Sequence, residues 1–165
     1  MPQSSVIAPH AMSDGFDLAG YLARIGYSGP RRVDLTTLRA IHRLQPAAIP
    51  FENLDPLLGR PVALDLASLQ AKLVGGRRGG YCYELNTLLA AALEALGFSV
   101  VRLGARVRWR APPEQPDGAR THMLLRVDLA EGPHLVDVGF GGRLFAGPLR
   151  LDPDSEHQTF SDACA

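Results

Sequence analysis

A cysteine at the start of a predicted helix is the first candidate for chemistry in this sequence. Residues 77–86 read RRGGYCYELN, so Cys82 follows two glycines and lies just before the helical pattern. The partial positive charge of a helix N-terminus and a nearby imidazolium both favour a cysteine thiolate, which is the nucleophilic form. Gly79 and Gly80 allow a sharp turn and leave room for a substrate beside the sulfur. The alternative is a buried structural cysteine, which behaves as a small hydrophobic residue.

A thiolate nucleophile needs a base, and the base needs a partner that orients it. His122 opens the predicted strand 121–129, directly after a long loop, where a sheet presents residues to a cleft. Asp137 interrupts the apolar strand predicted over 134–140, where a carboxylate is costly unless it is paired. A short turn joins the two strands, so we expect His122 to face Asp137. The alternatives are a structural histidine and an aspartate that binds backbone N–H groups.

The two cysteines of the chain, Cys82 and Cys164, have further interpretations. They could form one disulfide, but the N-terminus lacks the features of a secretory signal, so we expect free thiols in a reducing compartment. Both cysteines, with His122 and Asp137, could also be considered as zinc ligands. Their spacing fits no closed metal motif, and we therefore expect no metal.

The elements that must position these residues are helices in the first half of the chain and strands in the second. Asp34 and Asp65 are candidate helix N-caps, and Pro46 and Pro50 are expected to end the second helix. Apolar residues at helical spacing predict helices over 14–26, 34–45, 65–74 and 83–96. After Gly97 the hydrophobic period changes towards two, which predicts one or two strands over 98–109 and further strands over 121–129 and 134–140.

These patterns predict an α+β fold in two parts. Residues 1–96 are expected to form an N-terminal helical bundle that carries Cys82. Residues 97–165 are expected to form an antiparallel β-barrel or sheet that carries His122 and Asp137.

The composition excludes several classes of partner. The 165 residues contain 17 Lys and Arg and 17 Asp and Glu, so the formal net charge is zero. A neutral chain gives no electrostatic case for nucleic acid or an anionic membrane as the main partner. The longest apolar runs, such as LLAAAL at 88–93, are far shorter than a transmembrane helix. We therefore expect a cytoplasmic protein that binds neither nucleic acid nor membrane.

Four sequence blocks, taken in order, resemble those of the arylamine N-acetyltransferases. They are PFENLD at 50–55, RGGYCYELN at 78–86, THMLLRV at 121–127 and VDVGFG at 136–141. The resemblance extends from about residue 16 to about residue 151. It implies a triad of Cys82, His122 and Asp137, arranged as in cysteine proteases and transglutaminases. The RGGYC and PFEN blocks do not favour a protease or transglutaminase itself.

The resemblance also implies a reaction, in which Cys82 attacks acetyl-coenzyme A and holds the acetyl group as a thioester. An arylamine, arylhydrazine or arylhydroxylamine then takes the acetyl group, so that the transferase follows a ping-pong mechanism typical of xenobiotic metabolism. A poorly basic amine is unprotonated at neutral pH, and His122 can accept its proton. The expected small-molecule partners are therefore acetyl-coenzyme A and an aromatic amine, without a metal.

Residues near the triad have expected supporting roles. Arg78 and Glu52 are expected to form an ion pair that fixes the cysteine loop against the PFEN segment, although a solvated pair of no consequence is the alternative. Glu84 and Asn86 could cap or brace the helix start. A second set is expected to line the substrate site, although its aromatic members could equally be core residues: Phe51, Tyr81, Gly139, Phe140 and Gly141.

The chain departs from the family in its length. Family members usually have a third part, a C-terminal α/β lid, and this truncated chain is expected to lack it. Water could then compete with the amine, so one alternative is an acetyl-coenzyme A thioester hydrolase. Others are an amide synthase that releases polyketide chains and an inactive protein. Sheet edges without partners also predict self-association.

Overall fold

The computed structural model describes residues 15–108, 112, 114, 116, 118–142 and 146–151. Within these ranges the chain forms short helices and then an antiparallel sheet, as predicted. The helices are α1 (Leu18–Ile25), α2 (Leu35–Ala48), α3 (Leu54–Leu57), α4 (Leu66–Leu69) and α5 (Cys82–Ala95). The strands are β1 (Ser99–Ala105), β2 (His122–Leu129), β3 (Gly132–Val136) and β4 (Leu149–Arg150).

Aspartate caps begin three of the helices. The side chain of Asp34 accepts the N–H of Thr37 at 2.8 Å, and that of Asp65 accepts the N–H of Ser68 at 2.9 Å. Asp17 does the same for Gly20 at the start of α1. Such a cap stabilises a helix by about 1 kcal/mol, because it satisfies a donor that has no partner inside the helix. The capping roles predicted for Asp34 and Asp65 are therefore confirmed.

Helix α2 continues through Pro46, so the prediction that this proline ends the helix was wrong. Proline has a backbone angle compatible with a helix, and its cost is the loss of one backbone donor. The helix ends at Ala48, and the N–H of Ile49 still bonds Gln45 O at 2.7 Å. The helix predicted over 65–74 is also not α-helical throughout. Helix α4 passes into a π-helical turn over Gln70–Gly75.

The four strands pair antiparallel in the order β1-β2-β3-β4. Leu125 of β2 lies opposite Val136 of β3, and the same register places His122 level with residue 139. Strand β3 ends at Val136 and does not extend to residue 140 as predicted. The reason is that side chains bind two N–H groups just beyond the strand: Asn86 Oδ1 accepts the N–H of Val138, and Asp137 Oδ1 accepts the N–H of Gly139.

Helix α5 lies at the centre of the core and packs against both the other helices and the sheet. It contacts α1 and α4 on one side and β1 and β2 on the other. Residues of the helices and strands share one apolar cluster, which includes Leu38, Leu89, Leu125 and Val136. The start of α5 is therefore held from both directions. No helix in the described ranges has the length and apolar character needed to cross a lipid bilayer.

A buried polar chain links three of the helices. Tyr21 OH donates to Gln45 Oε1 at 2.6 Å, and Gln45 Nε2 donates to Leu85 O at 3.0 Å. Tyr21 and Gln45 are both fully buried, and burial raises the pKa of the Tyr21 phenol, so it remains a neutral donor. Gln45 therefore connects α1 and α2 to the first turns of α5.

We expect Gln45→Leu to destabilise the chain by about 2 kcal/mol, because it leaves the buried hydroxyl of Tyr21 without its acceptor and removes a bond from α2 to Leu85 O. Urea unfolding measures this change in the free energy of unfolding. Arg39→Leu places the same residue at an exposed position of α2 and is expected to change stability by less than about 0.5 kcal/mol. Equal stability of the two variants would show that the polar chain contributes nothing.

Candidate active site

The cysteine is the first residue of α5. Cys82 is 8% exposed, and its Sγ lies 3.9 Å from Thr121 O, at the beginning of β2. Glu84 binds back to the helix start, because its Oε2 accepts the N–H of Tyr81 at 3.1 Å. This bond satisfies one of the free donors at the helix end and fixes the residue before the cysteine.

The two glycines before the cysteine allow the PFEN segment to lie directly against this loop. Glu52 N donates to Gly80 O at 2.9 Å, and Gly80 N donates to Pro50 O at 3.2 Å. A Cβ atom at Gly79 would collide with Pro50 O, so a side chain at this position would separate the two segments. The glycines therefore allow the backbones of the PFEN segment and the cysteine loop to lie in direct contact.

His122 and Asp137 form a buried pair beside the cysteine. His122 Nε2 lies 2.7 Å from Asp137 Oδ2, and the two residues are 7% and 4% exposed. The Cys82 thiol is close enough to the ring to raise the pKa of His122, and Nδ1 is the ring nitrogen that Asp137 leaves free. The structure thus brings Cys82, His122 and Asp137 together in the order that the sequence predicted.

The electrostatics of His122 favour its charged form. Burial alone would lower the pKa of this imidazole, but hydrogen bonds to Asp137 and Cys82, and the charges of both residues, raise it to about 9. His122 is therefore protonated at neutral pH. A protonated imidazole beside the sulfur is the arrangement that stabilises a thiolate.

Asn86 fixes Asp137 from the opposite side. Its Nδ2 donates to Asp137 Oδ1 at 3.0 Å and to Met123 O at 2.8 Å, and its Oδ1 accepts the N–H of Val138. Asn86 is fully buried one turn after Cys82, so it connects the helix of the cysteine to β2 and to the segment after β3. The sequence indicated a bracing role at the helix start, whereas the observed partners lie in β2 and just after β3.

A second histidine holds the backbone at the same place. His42 Nε2 donates to Asp137 O at 3.0 Å from α2, and the ring is 1% exposed. Burial lowers the pKa of His42 more than Asp137 raises it, so the ring is neutral. His42 could not be predicted as part of the site, because nothing in its local pattern points to a partner 95 residues away.

A network of charged side chains joins the cysteine loop to the segment after PFEN. Arg78 and Glu52 form the expected ion pair at 2.7 Å, and Arg78 also lies 3.1 Å from Asp55. Lys72 lies between Asp55 at 2.8 Å and Glu84 at 2.7 Å. The contact between Lys72 and Asp55 could not be predicted, since the sequence around charged residues on helices and loops does not indicate which of them pair.

The predicted substrate-binding residues lie around the triad. Phe140 meets the ring of His122 edge-on, with centroids 5.2 Å apart. Gly139 packs against Cys82, and a Cβ at Gly141 would lie 2.6 Å from the ring of Phe51. Phe51 is 41% exposed, so its ring is not a core residue.

Tyr81, the remaining predicted residue, directly precedes the cysteine. It is half-buried, and its ring centroid lies 5.5 Å from that of Tyr83. The ring of Tyr81 therefore contacts the first turn of α5.

The described residues contain no group of three or more His, Cys, Asp or Glu side chains that could hold a metal ion. Cys82 is a free cysteine. Cys164, which the sequence offered as a zinc ligand or disulfide partner, lies outside the described residues, as does the rest of the segment 152–165.

Comparison with known proteins identifies related sequences. The sequence profile of a family described as N-acetyltransferase matches residues 34–164. An arylamine N-acetyltransferase of Mycolicibacterium smegmatis is 54% identical over 146 residues, which are 87% of this chain and 53% of the relative. The arylamine N-acetyltransferase of Escherichia coli is 48% identical over 134 residues, which are 81% of this chain and 47% of the relative. The chain thus spans about half the length of these curated relatives.

Solved structures show the same similarity. The arylamine N-acetyltransferase of Mycobacterium marinum matches with a TM-score of 0.83 and 50% identity, over 87% of this chain and 54% of that one. The Mycobacterium marinum enzyme in complex with CoA matches with a TM-score of 0.81 and 50% identity, over the same shares of the two chains. The order of helices followed by an antiparallel sheet is therefore shared with these structures.

The protonation of His122 gives a testable prediction. NMR of the labelled imidazole should show titration near pH 9, and Asp137→Asn should lower this midpoint by about 1 to 3 units, because the charged partner is removed. The pKa is raised on folding from about 6.5, so the stability that His122 contributes is complete below pH 6.5 and is lost as the pH rises through 9. Unchanged titration in the variant would contradict the pairing.

The close contact at Gly139 gives a second prediction. A Cβ atom there would lie 2.7 Å from Cys82 Cα and 2.8 Å from Asn86 Nδ2. Gly139→Ala should therefore destabilise the chain by about 1–3 kcal/mol and change the rate of Cys82 alkylation. Gly142→Ala is the matched control, because its Cβ would meet no atom within 4 Å. Urea unfolding and peptide mapping measure both effects, and equal behaviour of the two variants would refute the argument.

Proposed function

Since this chain belongs to the arylamine N-acetyltransferase family, we propose that it transfers an acetyl group from acetyl-coenzyme A to an arylamine, arylhydrazine or arylhydroxylamine through Cys82. The observation that carries the proposal is the buried His122, which binds Asp137 through Nε2 at 2.7 Å and has the Cys82 thiol as a neighbour that raises its pKa. In this proposal the helical part, residues 1–96, supplies the nucleophile. The part over 97–165 supplies the base and its orienting carboxylate.

The first step forms an acetyl-enzyme. The Cys82 thiolate attacks the thioester carbonyl of acetyl-coenzyme A, and the bond from carbon to the coenzyme A sulfur breaks. His122, protonated at neutral pH, gives its proton to the departing thiolate, which leaves as the free thiol of coenzyme A. The exchange costs little free energy, because one thioester replaces another.

The second step returns the enzyme to its starting form. The amine nitrogen attacks the acetyl-cysteine carbonyl, and the bond to Cys82 Sγ breaks. His122, now neutral, accepts the proton that the amine loses, and this restores the thiolate beside an imidazolium. Asp137 holds the ring in place through both steps and stays ionised, as the third member of a triad does.

The residues around the sulfur support an aromatic acceptor. Phe140 packs edge-on against His122, and the exposed Phe51 ring lies against Gly141, close to the same segment. Aromatic side chains bind planar rings through offset or edge contacts. An aromatic amine is also weakly basic, so its nitrogen is unprotonated at neutral pH and able to attack.

Arg78 and Glu52 support the site indirectly. Their ion pair joins the loop before Cys82 to the PFEN segment that carries Phe51. The pair therefore positions the nucleophile and one wall of the acceptor site relative to each other.

Intact-mass spectrometry tests the proposal directly. The purified chain is mixed with acetyl-coenzyme A, and an arylhydrazine is then added. We expect one acetyl adduct at Cys82 that disappears as acetylated hydrazine appears. Cys82→Ala, which retains Cys164, should form no such adduct and lose activity by at least about 10³-fold.

The other outcomes of this experiment are equally informative. Loss of the adduct to free acetate in the presence of the amine would show a thioester hydrolase. The absence of an adduct on a folded chain would show that the three residues do not act together. A faster reaction with carrier-bound acyl thioesters than with acetyl-coenzyme A would show an amide synthase.

A further inference from the structure

Lys72 is the only lysine in the chain, and it lies where the helix changes to π-helical geometry. The turn over Gln70–Gly75 contains a bond from Gly76 N to Ala71 O at 2.7 Å, and Arg78 N bonds Lys72 O at 3.2 Å. Short π-helical segments are frequent at functional sites. Here the segment places the Lys72 side chain beside the first turn of α5.

The Lys72 ammonium bridges two carboxylates from different elements. Its Nζ lies 2.7 Å from Glu84 Oε1 and 2.8 Å from Asp55 Oδ2, and the side chain is 17% exposed. Burial alone would lower the pKa of Lys72, but the bonds to Asp55 and Glu84 raise it, so the ammonium remains charged.

Glu84 depends on this contact. It is 1% exposed and lies two residues after Cys82 in the same helical turn. One of its oxygens accepts the N–H of Tyr81, and the other accepts Lys72 Nζ. A buried carboxylate without a counter-charge is strongly unfavourable as an ion, and it avoids this cost only by taking up a proton.

We propose that Lys72 is a positioning residue for the nucleophile, which neutralises Glu84 so that the start of α5 can hold Cys82 as a thiolate. The inference rests on the proposed function of Cys82. An uncompensated charge on Glu84 would oppose a second negative charge on the sulfur, and a protonated Glu84 would bind Tyr81 N more weakly. Lys72 prevents both the repulsion of the sulfur by Glu84 and the weakening of the bond to Tyr81 N. It acts through Glu84 and does not contact the substrate.

The charges around this site define what the variants should do. Tyr81 and His122 interact electrostatically with Cys82, Asp137 binds His122, and Glu84 lies in the same helical turn as the cysteine. Lys72 itself faces Glu84 and Asp55, and Asp55 keeps Arg78 as a partner when the lysine is removed. Lys72→Met therefore leaves mainly Glu84 uncompensated. In Lys72→Met/Glu84→Gln the pair is neutral again.

The test measures the rate of Cys82 alkylation by iodoacetamide against pH, by peptide mapping that separates Cys82 from Cys164. We expect Lys72→Met to move the midpoint upward by about one pH unit, so that the rate below it falls about tenfold. Lys72→Met/Glu84→Gln should return to within about threefold of the original rate. Glu84→Gln alone should move the midpoint in the opposite direction, because Lys72 then lacks this negative neighbour.

Arg60→Met is the matched control. Arg60 also lies beside Asp55, at 3.7 Å, but its side chain is 64% exposed, and within the described part of the chain the ion-pair partner of Glu84 is Lys72. The control should therefore keep the original alkylation profile within about twofold.

Two results would overturn the proposal. One is an unchanged pH profile in Lys72→Met, and the other is a double variant as slow as Lys72→Met, which would indicate a structural role in the π-helical turn. If Lys72→Met does not fold, an unshifted profile in Glu84→Gln decides against the proposal. Alkylation needs no acetyl-coenzyme A, so failure of acetyl transfer in the original chain would be seen separately.

Discussion

The carboxylate of Asp137 is 4% exposed, and three separate parts of the chain donate hydrogen bonds to it. His122 binds one oxygen from β2, while Asn86 from α5 and the N–H of Gly139 bind the other. A buried carboxylate is tolerated only when its lone pairs are satisfied and a counter-charge is near. The histidine, the helix of the cysteine and the loop after β3 must therefore converge on this one group.

This requirement explains features that look unrelated in the sequence. The strand β3 stops at Val136 because the following N–H groups bind side chains instead of a neighbouring strand. Gly139 has no side chain because the backbone passes directly against Cys82. His42 then binds the carbonyl of Asp137, so the backbone of this residue is held as firmly as its side chain.

The sequence allowed Cys82, His122 and Asp137 to be chosen, because each stands at a special position of a periodic pattern. The cysteine precedes a helix, the histidine opens a strand and the aspartate breaks an apolar strand. The hydrophobic periods also predicted which segments form helices and which form strands. They did not predict the residues at which these helices and strands begin and end. Helix α2 continues through Pro46 because the proline removes only one backbone donor, close to the end of the helix. The packing of α2 against α1 stabilises the helix in spite of this loss.

The contacts that the sequence did not reveal join residues that are far apart along the chain. Asn86 lies 51 residues from Asp137, and Lys72 is separated from Asp55 by the whole of α4. An amide inside an apolar helix signals that some buried partner exists, but it does not say which one. The partner depends on how α5 rotates on the sheet, and this rotation is a property of the whole core.

The two sides of the cysteine follow one electrostatic rule. On the sheet side, Asp137 is matched by the imidazolium of His122, and on the helical side, Glu84 is matched by the ammonium of Lys72. Each buried carboxylate thus has its own cation within 2.7 Å. In the proposed function, the thiolate of Cys82 then has the imidazolium and the helix N-terminus beside it and no uncompensated carboxylate in the same helical turn. A neutral chain can in this way maintain a local field that stabilises a negative charge at one atom.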